Sequence, residues 1–411
     1  MSADDGTRRL CIVTPAHSGS ITGGAEYQID CLIGVLNSLH RTEIFYLSST
    51  HSGDDGERPY HVVRVGHPRR APRFGYITQA VPLYRALQQI RPHAIYQRVA
   101  CGYTAVCASY ARRNGIRMVW HVAHDSDVTP GASLDGRNPL RRFLEKESVE
   151  YGIRRAGCIV TQTRDQAHLL EEHYGRQPDA VIPNFHPYPA ERIDKSGPLT
   201  VAWVASLKPW KAPEAFLDLA DAFRDRPEVR FVMIGPEGTG AGQRAWFQDL
   251  QRRVQATWNV DYRGPRSQAE VNELLAQSHL FVNTSLHEGF ANTFIQAWMR
   301  EVPVISLHVN PDGLLDDRGV GIFCEHSPSR MVEAVRTLLG DASMRSLCAV
   351  TAREYAMSRH SLANASELAR LIDSDGSVRV RGAARASGLH EHISDTHISD
   401  THVSDTHGTR A

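Results

Sequence analysis

No run of about 18 uninterrupted apolar residues occurs in the 411-residue chain, so no membrane-spanning helix is predicted. The opening MSADDGTRRLCIVTP has no apolar segment of signal-peptide length and passes from a polar lead into a strand pattern. Excess charge of either sign is also missing, since Lys plus Arg and Asp plus Glu both number 46. A polyanion surface needs clustered cation, so nucleic acid is excluded as the main partner. Cysteine is sparse: Cys11, Cys31, Cys101, Cys107, Cys158, Cys324 and Cys348. An odd number with no C-x-x-C pair, mostly in apolar runs, fits reduced core thiols and a cytoplasmic setting rather than a disulfide frame. The dinucleotide fingerprint G-x-G-x-x-G is absent as well.

What is present is alternation. Apolar content of 41% and charged content of 22% are those of a globular protein, and the length calls for two domains. LCIVTPA, TEIFYLSS, HVVRVG, AIYQRV, RMVWHVA and CIVTQT read as strands. YQIDCLIGVLNSLH, ITQAVPLYRALQQI and TAVCASYARRNG read as helices between them. The Pro-rich, polar segment 182–199 marks the domain boundary. Beyond it TVAWVAS, RFVMIG, VDYRG, LFVNTS, VPVISL and VGIFC form a second strand series, again separated by helical patterns. Such spacing implies parallel sheets with right-handed crossovers, hence two doubly wound α/β domains. Facing each other, they make a cleft at the carboxyl ends of their strands. The expected divisions are 1–190, 191–345, closing helices over 346–375, and a disordered tail over 376–411. That tail repeats ISDTH-like pentapeptides, and its histidines (His390, His392, His397, His402, His407) are given no function.

Three stretches carry candidate chemistry. In GGAE, Gly23 and Gly24 sit between the first strand and its helix, where a backbone can approach a ligand and free N–H groups face an anion. A plain turn explains two glycines equally well. In VASLKPWKAPE, Lys208 and Lys211 follow a strand end, where an ammonium suits a diphosphate. A solvated surface lysine is as good a reading for Lys208, whereas Lys211, just before a helix, favours the functional one. In LHEGFANTFIQAWMREVPVIS, a buried strand leads through Glu288 into a helix ended by Pro303. Its start aims the amides of Ala291, Asn292 and Thr293 at the cleft. An acidic acceptor at Glu288 suits sugar hydroxyls. Gln296 lies three residues after Thr293, the spacing of a capping box, but capping leaves Glu288 and Gly289 unexplained.

Together GGAE, VIPNF, VASLKPWKAPE and EGFANTFIQAW…VPVIS resemble, in order and from Leu10 to about Ile372, family 4 of the retaining glycosyltransferases with the GT-B fold. The resemblance implies transfer of a sugar from a nucleoside-diphosphate sugar to an acceptor hydroxyl with retained configuration. It implies Glu288 and His124 as the catalytic pair, His124 beside Asp125 matching the family's His-Asp step while His121 falls in the strand interior. It implies donor contacts from Gly23, Gly24, Ser206, Lys208, Lys211, Phe290, Ala291, Asn292, Thr293 and Gln296, with the base near Arg263 and Gly264. Two positions depart from the family: Gln296 replaces a glutamate, leaving an amide carbonyl as acceptor, and Ser206 replaces an arginine. Asp125-Ser126-Asp127 also has the D-x-D spacing of metal-dependent glycosyltransferases. Lysines and helix amides can neutralise a diphosphate instead, so no metal and no cofactor is expected.

The partners implied are a nucleotide sugar and a glycan or lipid-linked acceptor, in cell-envelope or exopolysaccharide synthesis. Arg69, Arg70 and Arg73 beside Phe74 suggest peripheral contact with the inner face of the plasma membrane, though a solvated loop is the commoner use of such a run. Two other functions compete: a sugar-nucleotide epimerase on the same fold, and a non-catalytic sugar-nucleotide or glycan binder, which Gln296 and Ser206 would suit.

Overall fold

The computed structural model describes residues 8–17, 23–39, 42–49, 57–66, 79–132, 139–238 and 243–374. The arginine-rich rim around Phe74 and the histidine-bearing tail lie outside them.

In the first lobe the strands are β1 (Arg8–Val13), β2 (Thr42–Ser48), β3 (His61–Arg64), β4 (Ala94–Arg98), β5 (Arg117–His121), β6 (Cys158–Thr161) and β7 (Ala180–Val181). They form one sheet in the order β3-β2-β1-β4-β5-β6-β7, and every pairing is parallel. Its helices are α1 (Gly24–Leu39), α2 (Ala80–Ile90), α3 (Gly102–Asn114), α4 (Asp125–Val128), α5 (Pro139–Arg155) and α6 (Arg164–Tyr174). The second lobe has β8 (Leu199–Val204), β9 (Val229–Ile234), β10 (Val260–Tyr262), β11 (Leu280–Asn283), β12 (Val304–Ser306) and β13 (Gly321–Phe323). Their order is β10-β9-β8-β11-β12-β13, again parallel throughout. The helices here are α7 (Pro213–Asp221), α8 (Gln243–Ala256), α9 (Gln268–Gln277), α10 (Asn292–Trp298), α11 (Leu314–Asp317), α12 (Pro328–Gly340) and α13 (Ala342–Arg359), and α14 (Ala363–Asp373) ends the described chain.

Each sheet is buried on both faces, which explains why its strands are continuous apolar runs rather than alternating ones. In β1, Cys11 and Val13 face the core shared with α2, α3 and α5, while Leu10 and Ile12 face that shared with α1. In β8, Val201 and Trp203 pack under α7 and α12, and Ala202 packs under α9 and α10. The closing helices part company. Ala352 and Ala356 of α13 join the second lobe's core, whereas Ala365, Leu368, Ala369 and Ile372 of α14 lie against Ile29, Leu32 and Leu36 of the first.

Three local features differ from the sequence expectation. Helices α5 and α6 were not anticipated because neither carries a broad apolar stripe. The first buries Glu145, Val149, Gly152 and Ile153, and the second buries Gln166, Leu170 and Tyr174, about one residue per turn. Helix α10 stops at Trp298, short of Pro303, and the chain turns through a left-handed Glu301.

Candidate functional site

In the second lobe the crossovers leave β8 and β11 in opposite directions, so these neighbouring strands flank the topological switch point, where open α/β sheets receive ligands. The loop leaving β8 carries Ser206, Lys208 and Lys211, and the loop leaving β11 carries Glu288. Main-chain and side-chain bonds staple the two loops together. Trp203 Nε1 donates to Thr284 Oγ1 at 2.9 Å, Thr284 Oγ1 donates to the Lys211 carbonyl at 2.7 Å, and Leu286 N donates to the Trp210 carbonyl at 2.8 Å. Lys211 Nζ forms an ion pair and hydrogen bond with Glu288 Oε1. Their side chains are only 18% and 11% exposed. Lys208 stacks its ammonium over the Trp210 ring at 4.9 Å. Burial lowers the Lys208 pKa, Lys211 lowers it further, and Glu26 and Glu288 work against that fall.

Across the cleft, β1 and β4 flank the corresponding point of the first sheet. Here two glycines admit protein neighbours. A Cβ on Gly24 would stand 2.8 Å from Asn292 Nδ2, and one on Gly289 would stand 2.7 Å from the Ala123 carbonyl and 2.9 Å from His124 Cα. Both are points where one lobe's main chain meets the other lobe. Gly289 thus gains the explanation that capping could not supply. His124 is exposed at the turn after β5, facing the loop that carries Glu288. His121 is buried, and its Nδ1 accepts from Arg98 at 3.0 Å, as a structural histidine would. Burial raises the Glu26 carboxyl pKa, with Arg98 and His124 opposing. Gly23 lies directly over it, since a Cβ there would meet Glu26 Oε2.

Other expected residues have their partners outside the Lys211–Glu288 pair. Arg263 Nε binds Asp261 Oδ2 at 2.8 Å, and its side chain lines a hollow with Asp194, Pro198 and Arg230, apart from Lys211 and Glu288. Gly264 adopts a left-handed turn and accepts from Gly235 N at 3.1 Å. The Phe290 ring joins the core against Phe294, Trp298 and His360. No capping box forms on Thr293, because the helix begins after Ala291. Gln296, 2% exposed, spends both amide hydrogens on Gln268 Oε1 at 2.7 Å and Asn272 Oδ1 at 2.9 Å. In the D-x-D stretch, Asp127 accepts from the main chain of Ala100, Ala123 and His124, and Asp125 Oδ1 accepts from Gln166 Nε2. Among the described residues no cluster of three or more metal-ligating side chains forms.

Three residues that sequence reasoning passed over tie the lobes: Arg98, Asn184 and Gln28. Only Asn184 had a signal, its place in VIPNF, and nothing there disclosed its partner.

Buried histidines give this junction a pH dependence. Burial holds His121 well below the usual imidazole range, and lowers His186 and His360 to about 4. All three are unprotonated in the fold but take protons on unfolding below about pH 6.5. Stability is therefore unaffected by them above that value and falls as pH drops towards 4. Burial raises Asp125 to about 6 and raises Glu26 as well, and these two carboxyls work in the opposite sense to the three histidines. Burial also lowers Lys195 to about 7, so stability already declines somewhat between pH 8 and 7. The melting temperature should fall gently over that range and more steeply from pH 6.5 to 5. A flat profile down to pH 5 would contradict this.

Two facing nucleotide-type lobes, with a lysine–carboxylate pair at a switch point, define a GT-B protein of the sugar-nucleotide class. Comparison with known proteins specifies the family. Residues 22–186 match the model described as Glycosyltransferase Family 4, and residues 198–341 match the one described as Glycosyl transferases group 1. The chain belongs to glycosyltransferase family 4. The D-inositol 3-phosphate glycosyltransferase of Streptomyces scabiei (strain 87.22) is 24% identical over 308 residues, covering 66% of this chain and 67% of that one. The protein of the same name from Stackebrandtia nassauensis is 24% identical over 246 residues, covering 55% of each. The chain thus spans between about half and two thirds of these curated relatives. The structure of Anabaena HepE in complex with UDP and glucose has a TM-score of 0.70 at 18% identity, over 89% of this chain and 99% of that one, a likeness of fold.

Proposed function

We propose that the chain transfers a hexosyl group from a nucleoside-diphosphate sugar, with a uridine donor first in line, to a hydroxyl of a polyol or glycan acceptor, retaining the anomeric configuration. The observation that carries this is the Lys211–Glu288 pair held by stapled loops at the switch point. In the free protein each group neutralises the other. A donor replaces both contacts at once: its diphosphate takes the Lys211 ammonium, and the transferring sugar's hydroxyls take the Glu288 carboxylate. Charge that develops on the departing diphosphate then meets a cation already in place, which is electrostatic preorganisation. Lys208 adds a second ammonium where Ser206 offers only a hydroxyl. Gln296, with both amide hydrogens committed, presents its carbonyl as the acceptor for a ribose hydroxyl. His124 faces the sugar from the other lobe. Same-face attack with the leaving phosphate oxygen taking the acceptor proton requires no covalent nucleophile.

An inositol phosphate is the first acceptor to try, because the D-inositol 3-phosphate glycosyltransferases are among the chain's relatives. Cell-envelope or exopolysaccharide synthesis at the cytoplasmic face of the membrane is the setting proposed, without metal or cofactor. Thermal-shift screening against UDP, GDP and their sugar conjugates should show a selective rise in melting temperature. Proton NMR of the product made from the hit and myo-inositol phosphate or an oligosaccharide should show an α-linkage from an α-donor. A donor altered without acceptor would mark an epimerase, and binding without consumption under any acceptor would mark a binder. Either result overturns the proposal.

A further inference from the structure

The first residue of α10, Asn292, sends its side chain out of the second lobe. Its Nδ2 donates to the Gly24 carbonyl at 2.8 Å. Its Oδ1 accepts from Asn184 Nδ2 at 3.0 Å and from Gln28 Nε2 at 3.2 Å. Asn184 Nδ2 also lies 3.3 Å from the Phe290 carbonyl, and its Oδ1 accepts from Arg98 at 2.8 Å. Gln28 is pinned in turn, donating to the Phe185 carbonyl at 2.7 Å and accepting from Phe185 N at 3.0 Å. Arg98, 1% exposed, is fixed by Tyr96 and His121. Arg98, Asn184 and Gln28 are all buried, so breaking a bond to one of them leaves a buried group without a partner, whereas the Asn292–Gly24 bond lies at the exposed edge of the network. The chain of bonds begins in the first sheet and ends at the loop carrying Glu288.

We propose that Asn292 is a positioning residue, a clasp that sets the second lobe's donor loop in register with the Gly23–Gly24 turn and holds the lobes shut on the site side. The missing Cβ at Gly24 is part of the clasp, because a methyl there would meet Asn292 Nδ2. A second contact lies elsewhere between the lobes: Asp312 Oδ1 and Oδ2 accept from the amides of Asp165 and Arg164, and Asp312 N donates to Asp165 Oδ2 at 2.7 Å. With that contact intact, loss of the Asn292 clasp opens the cleft about it as a pivot.

Two substitutions test this from opposite sides. Asn292→Asp keeps the acceptor for Asn184 and Gln28 but turns an oxygen towards the Gly24 carbonyl, while an acid at a helix start does not weaken the helix. Gly24→Ala keeps all the amides but adds the obstructing methyl, on a residue whose φ is ordinary and whose helix alanine favours. In the full chain without ligand, hydrogen–deuterium exchange should rise about tenfold or more over 23–30 and 288–294 in both variants. The amides of 163–166, held by the second contact, and those of β8 should keep their wild-type rates, and the melting temperature should stay close to wild type. Unchanged exchange in either variant overturns the clasp. A uniform rise with a lowered melting temperature overturns it too, since that is loss of fold. The functional arm rests on the glycosyltransferase reading: turnover should fall about tenfold or more while UDP affinity moves less than about threefold. Should the wild type consume no sugar nucleotide, that reading fails and the ligand-free exchange result still decides the clasp.

Discussion

Replacing Glu288 with Gln should lower donor turnover by about 10²–10³-fold while leaving UDP affinity unchanged or improved. The split follows from the ion pair. In the free protein the carboxylate occupies the Lys211 ammonium, so neutralising it releases that cation for the diphosphate. The same change removes the charged acceptor proposed for the sugar hydroxyls, whose hydrogen bonds strengthen as charge develops at the anomeric carbon. A glutamine fits the space and retains one acceptor, so the fold should not suffer. Initial rates at saturating donor and isothermal titration with UDP measure the two quantities separately. Parallel loss of both would place Glu288 in general donor binding, and no loss of turnover would remove it from the reaction.

Much of this site could be read in the chain before any coordinates. Lys211 and Glu288 stand out because each follows a strongly apolar strand and precedes a helix, and strand ends are where this architecture collects its ligands. Their mutual ion pair is invisible in sequence, since 77 positions separate them. The same distance problem hid Asn292, whose partners lie 268 residues away at Gly24, 264 away at Gln28 and 108 away at Asn184. Gly24 was legible as a point of close approach, and one group that approaches it is the Asn292 side chain. Arg263 is placed near the base by resemblance, and its side chain is taken by Asp261, two residues earlier on the strand, which leaves its main chain for that role. Phe290, in the loop that carries Glu288, turns its ring into the core and leaves its carbonyl near the junction. The spacing from Thr293 offers Gln296 as a cap, yet its amide bonds to α9, 28 and 24 residues earlier at Gln268 and Asn272. Strand and helix placement, parallel pairing and the two-lobe division follow from local pattern; strand order, register and the partners across the cleft follow from tertiary contact.

The most direct test of the account is UDP affinity, by titration calorimetry, in Glu288→Gln and in Lys211→Met combined with Glu288→Gln. The pairing matters, because Lys211→Met alone would leave a bare carboxylate facing the phosphates and weaken binding by repulsion. With that carboxylate already neutral, only the ammonium differs between the two proteins. A hydrogen bond to a charged group contributes about 1.5–3 kcal/mol, so the double variant should bind UDP about tenfold to 150-fold more weakly. Equal affinity in the two proteins would contradict a diphosphate seated on Lys211 at the β8–β11 switch point.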